Sequence, residues 1–196
     1  MDSKSLAASL AKARACRLCE GQLPHAPRPV LLVRPQARLL IVGQAPGTKV
    51  HASGKPFDDA SGDRLRDWLG IDRATFYGDA RLGVMPMGLC FPGQDDKGAD
   101  LPPMKICAPT WHPVIRPLLG ELRLTLLVGQ YAQRHYLGAR RKPTLTETVA
   151  AWRDYGPAFL PLPHPSWRNT GWLKRHRWFE RDVVPYLRKR VGDLLA

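Results

Sequence analysis

Four short apolar runs constrain this chain more than any other feature: ARLLIVG at 37–43, ARLGVM at 80–85, LTLLVG at 124–129 and AFLPL at 158–162. Each has the length of a strand, and the stretches between them carry helical spacing. That alternation is the signature of an α/β domain built on a mainly parallel, four-stranded sheet. Candidate helices cover 4–15, 61–69, 110–119, 130–137, 144–152 and a basic C-terminal stretch. In that last stretch Pro185 either kinks the helix or opens a new one from its first turn. Two segments resist assignment: 47–59, and 91–105, which is dense in Gly, Pro and Asp. Long loops in a compact domain tend to carry function. No repeat and no linker interrupts the pattern, so a single domain is expected over 1–196, with an N-terminal cysteine-bearing arm.

The chain has four cysteines: Cys16 and Cys19 form a C-x2-C pair, and Cys90 and Cys107 lie far downstream. A C-x2-C places two thiolates on one tight turn, and the distant pair can close the shell of a single metal site. Residues 1–15 are charged and alanine-rich, without the apolar core of a signal peptide. A cytoplasmic address is expected, and there metal ligation or redox chemistry is favoured over structural disulfides. The competing reading is four unrelated buried thiols. The wide separation of the two pairs argues against a small zinc finger and for a staple joining the arm to the larger domain. Thiolate-only ligation suits zinc or a 4Fe-4S cluster, and spacing does not separate them.

The formal net charge is +13, from 30 Lys plus Arg against 17 Asp plus Glu. Such a field favours a polyanionic partner, nucleic acid being the economical choice, against a basic protein that binds nothing. No apolar segment reaches the length a bilayer requires.

Ligands of open parallel sheets bind beyond the carboxyl ends of the strands. The first run leads there into Gly43, Gln44, Ala45, Pro46 and Gly47, a tight turn whose main-chain N–H groups are free to face a ligand. As a bare pattern it is weak, since most such turns are only turns. The last run leads into His164, Pro165 and Ser166. A histidine there can donate to a developing anion, and the Pro-Ser step can grip a phosphate.

In order and content these residues resemble the uracil-DNA glycosylase superfamily, and within it the iron-sulfur members called families 4 and 5. The resemblance rests on the Cys16 to Cys19 arm, LLIVGQAPG, Gly54-Lys55-Pro56-Phe57 followed by Ser61-Gly62, then Cys90, Cys107 and LPHPS. It spans roughly residues 14–190, and six motifs in the right order are specific where one is not. The resemblance implies a three-layer α/β/α domain that flips a damaged base out of DNA and hydrolyses its bond to deoxyribose. It implies a 4Fe-4S cluster on Cys16, Cys19, Cys90 and Cys107, with zinc the less favoured alternative. A monomer acting on double- or single-stranded DNA is expected.

Phe57 would stack on the extruded ring, its competing reading being a core phenylalanine. His164 and the turn N–H groups would stabilise the leaving base, whose departure leaves negative charge near its oxygen. Pro165, Ser166, Trp167, Arg168 and Asn169 would engage DNA, with Trp167 or Arg168 wedging into the base stack. For Trp167, packing in the core is the competing reading. The basic tail from Lys174 to Arg190 reads chiefly as a solvated helix face.

The chain departs from the family in its first motif, where Gln44 stands in place of the family-4 glutamate. The acid expected a few residues later is missing, with Val50 and His51 in that region, and VMPMGLC holds no counterpart of the family asparagine. Asp59, or less well Asp58, is the candidate replacement carboxylate, against the plainer reading of a helix N-cap. Two functions remain: a glycosylase for uracil or a related deaminated base, and a weakly active or non-catalytic DNA-binding member. A basic ligand-binding α/β protein is a distant third.

Overall fold

The computed structural model describes residues 3–196, with side chains from residue 5 onward. Its centre is a four-stranded sheet of β1 (Leu39–Val42), β2 (Leu82–Val84), β3 (Leu124–Val128) and β4 (Phe159–Leu162). The order is β2-β1-β3-β4 and all three pairings are parallel. Nearly every strand residue is apolar because both faces are covered. Leu39 and Ile41 of β1 point into one core, with Leu126, Val128, Leu160 and Leu162, while Leu40, Val42 and Leu127 point into the other. This period of two divides the helices into two layers and makes the domain three-layered, α/β/α.

The first layer contains α3 (Ala60–Leu69), α4 (Arg73–Gly78), α7 (Leu145–Ala150), α8 (Thr170–Arg175) and α9 (Val184–Leu195). It buries Leu65, Trp68, Phe76, Val149, Leu173 and Leu187 against the sheet. The second contains α1 (Ser3–Arg14), α5 (Cys107–Ile115) and α6 (Gln130–Leu137). Leu6, Leu10 and Ala13 form the buried stripe of α1, which carries the C-x2-C turn to the body of the domain. The basic C-terminal stretch breaks into α8, a π-helical turn Phe179–Val183 and α9. Pro185 lies in the first turn of α9, directly after the π-helical turn that leads into it without a break.

Both edges of the sheet are managed by sequence. Pro161 lies in β4, an edge strand where one missing ladder donor is tolerated. The β2 edge is covered by Leu32, which exchanges both main-chain hydrogen bonds with Val84. Sequence reading missed two helices, α2 (Thr48–Ser53) and α4. The unassigned segment 47–59 contains the first of them. Among the described residues, no helix is long and apolar enough to cross a membrane.

Candidate active site

Because all four strands run the same way, the segments leaving them meet at one edge, and a cavity of about 290 Å³ lies there. It is lined by Gly43, Gln44, Ala45, Pro46 and Gly47 after β1, by Pro86 after β2, and by His164, Ser166, Arg168 and Asn169 after β4. Phe57, Asp59 and Ser61 close it from the approach to α3, and Ala99 and Asp100 from the 91–105 loop. Of the residues singled out in the sequence, Pro165 and Trp167 do not line it. Pro165 is buried, and Trp167 is 72% exposed, so its ring stands in solvent rather than in the core.

One wall is held by backbone contacts. Phe57 has a positive φ of 56°, rare for a residue with a bulky side chain, and its carbonyl accepts from buried Arg66 at 3.1 Å. Its ring lies so close to Gly43 that a Cβ there would stand 3.1 Å from the ring edge. A Cβ on Gly62 would sit 1.8 Å from the Phe57 carbonyl oxygen. Gly62 is therefore required by the placement of this aromatic, while a side chain at position 43 would crowd its ring edge. Phe57 also meets Phe76 edge-on at 6.4 Å, so the same ring serves the core and the cavity.

Asp59 is the N-cap of α3, its Oδ1 accepting from the Gly62 N–H at 2.8 Å. The capping reading of the sequence thus holds for Asp59, which lines the cavity as well. Asp58 does not line it. Asp58 pairs with Arg73 at 2.6 Å, and that hydrogen bond holds its carboxyl below the usual range.

The His164 ring is oriented by its own loop. Its Nδ1 accepts from the Ser166 N–H at 3.2 Å, which places the proton of the neutral ring on Nε2. Desolvation pushes its pKa down, with Asp59 and Asp100 pulling the other way. The neutral ring is therefore an Nε2–H donor. Asn169 Nδ2 donates to the His164 carbonyl at 2.7 Å, and Arg64 of α3 donates to the carbonyls of Pro165 and Ser166 at 3.3 and 3.1 Å. Arg64 was not singled out in the sequence, where nothing distinguishes it from any other arginine on a helix.

The opposite wall is a small hairpin. Gln94 and Asp100 form an antiparallel bridge, and Asp95 Oδ1 closes the tip by accepting the N–H groups of Lys97 and Ala99. Gln44 Nε2 donates to the Leu101 carbonyl at 3.1 Å, and Arg168 Nη2 donates to that of Gly98 at 3.0 Å. Asp100 escaped sequence reasoning. An Asp with Gly three residues on, as in Asp95 and Gly98, is a turn signature that could have revealed the hairpin.

Cys16, Cys19, Cys90 and Cys107 line a second, smaller cavity with Gly88, Leu89 and Trp111, and all four are free thiols. Burial pushes the Cys90 thiol up to about 11 and that of Cys107 up to about 12, the neighbouring sulfurs adding to the effect. A positive centre reverses that penalty. The Leu89 N–H donates to Cys107 Sγ at 3.2 Å. The four thiols line one cavity, and thiol donors are of the kind that soft metals take. Among the described residues, however, no three His, Cys, Asp or Glu side chains gather closely enough to hold a single ion.

The two cavities share a segment. Met87 and Gly88 donate their N–H groups to the carbonyls of Gly43 and Gln44, both at 2.9 Å, and the next residue, Leu89, bonds Cys107. Pro86, in the floor of the larger cavity, accepts from His112 Nε2 at 3.1 Å.

The family model for the uracil DNA glycosylase superfamily matches residues 31–188. A solution NMR structure from Methanosarcina acetivorans, of a protein provisionally assigned as a uracil DNA glycosylase, is 18% identical. The match covers 80% of this chain and 94% of that one, with a TM-score of 0.42.

Proposed function

The chain belongs to the uracil DNA glycosylase superfamily, and from that premise we propose that it excises uracil or a related deaminated base from DNA by hydrolysing the N-glycosidic bond. The observation that carries this reading is the convergence of the 43–47 turn, Phe57 and the Nε2–H of His164 on one cavity. The substrate base leaves the duplex at a cost of about a few kcal/mol, least where it is mispaired or unpaired. Phe57 stacks on its face. As the bond to the sugar breaks, charge develops on the base oxygen, and His164 Nε2–H with the main-chain donors of the turn stabilises it. A neutral donor suits this step, because it need not lose a proton to act. Asp59 supplies negative charge facing the sugar cation while it caps α3.

Ser166, Arg168 and Asn169 contact the DNA backbone at the mouth, where Pro165 shapes the loop and exposed Trp167 fills the space the base leaves. The four cysteines would hold a 4Fe-4S cluster, which would supply positive charge beside the buried thiolates. The protein acts as a cytoplasmic monomer. A second reading, a DNA-binding member with little activity, is favoured by one observation: Gln44 ties its amide to Leu101 and offers no carboxylate.

The test is an anaerobic preparation with its iron and sulfide counted, assayed in single turnover on oligonucleotides carrying uracil, hypoxanthine, xanthine or a mismatched thymine. Cleavage of at least one, lost in His164→Ala, is the expected result. Tight, salt-sensitive binding without cleavage would establish the second reading. Absence of iron alongside stoichiometric zinc would replace the cluster with the single ion.

A further inference from the structure

Hydrolysis needs a group that takes a proton from water, and the inference here deepens the glycosylase reading and rests on it. Two carboxylates line the cavity, Asp59 and Asp100. Asp59 has one oxygen committed to the Gly62 N–H at a helix N-terminus. That cap ties the Asp59 side chain to the start of α3.

Asp100 is placed differently. Its Oδ1 is held by Gln94 Nε2 at 3.0 Å, while its Oδ2 lies 3.2 Å from the point where a Cβ on Gly47 would stand. It thus lies against the first turn, where a side chain at position 47 would crowd it. The hairpin carrying it is pinned to the rest of the site by the Gln44–Leu101 and Arg168–Gly98 hydrogen bonds. A glutamate at position 44 would face the Leu101 carbonyl with no N–H to give it. The amide that withholds a carboxylate from the turn is therefore the group that holds another one against it. Asp100 is also solvent-exposed, so water reaches it, and His164 feels its charge together with that of Asp59.

We propose that Asp100 is the general base of this site, delivered by a hairpin that Gln44 anchors. Asp100 Oδ2 accepts one proton of a water as the water oxygen bonds to the sugar C1′. The C1′–N bond breaks and its electron pair passes to the base, whose oxygen accepts the hydrogen bond from His164 Nε2. The anionic base takes a proton from solvent, and Asp100 returns its own to solvent.

The experiment is single-turnover cleavage by the full chain on a base that the wild type excises. Asp100→Asn slows cleavage at least about 100-fold with DNA affinity unchanged, and Asp100→Glu recovers at least about tenfold. The fall of the wild-type rate on acidification disappears in Asp100→Asn. A Asp100→Asn rate within about threefold of wild type overturns the assignment and leaves the glycosylase reading intact. A wild-type chain that binds but cleaves none of the four substrates overturns the glycosylase reading and the role of Asp100 with it.

Discussion

The two walls of the larger cavity are built on different principles. The Phe57 wall is fixed by contacts to main chain within the core: a glycine at 62 that admits no side chain, a buried arginine on a carbonyl, and a helix cap. The Asp100 wall is an exposed hairpin with a few main-chain bonds of its own, tied to the other strand-end loops by the side chains of Gln44 and Arg168. A side-chain hydrogen bond contributes about 1 kcal/mol net, whereas a clash with buried backbone costs several times that. The first wall therefore tolerates almost no substitution, and the second can be exchanged piece by piece.

The largest effect that sharpens this contrast comes from Gly62→Ala. With its Cβ 1.8 Å from the Phe57 oxygen, the variant loses about 4 kcal/mol or more in urea unfolding. A loss under about 1 kcal/mol would mean that the Phe57 wall yields.

Next is an acid dependence that belongs to neither wall but to His112 of α5, bonded to Pro86. Desolvation holds buried His112 down to about 4, with the Pro86 carbonyl opposing. The unfolded chain takes up that proton near pH 6.5, so its uptake favours unfolding. The contribution is complete above about pH 6.5 and is lost as the pH falls toward 4, on the order of 3 kcal/mol in all. His112→Gln keeps a donor and flattens that part of the stability profile, as melts at pH 7 and 4.5 report.

The smallest effect is on the soft wall. Gln44→Ala leaves the melting temperature unchanged, while amide exchange at residues 95–101 quickens about tenfold, as expected for the loss of one anchoring hydrogen bond. Unchanged exchange would show that Arg168 alone suffices.

The hard wall was largely legible in the sequence and the soft one was not. All four strands were foreseen to within two residues at each end, because short runs apolar at nearly every position have few alternatives. The Gly43 to Gly47 turn and His164 were read as convergent because parallel strands force their ends together, and both line the cavity. Cys107 falls in the first turn of α5, three residues before the helix foreseen from Thr110, because Pro109 is tolerated in a first turn. The hairpin depends on contacts between residues far apart in the chain, Gln44 with Leu101 and Arg168 with Gly98. Neither pair leaves a periodicity to find. Asp59 shows the limit from the other side, since an acid before a helix reads as a cap whether or not it also faces a ligand.

The short run from Pro86 to Leu89 is a party wall between two chambers, bonded to the Gly43–Gln44 turn on one side and to a cysteine sulfur on the other. Three consecutive amides, those of Met87, Gly88 and Leu89, serve the two chambers in turn, so neither lining can be rebuilt without resetting backbone that belongs to the other.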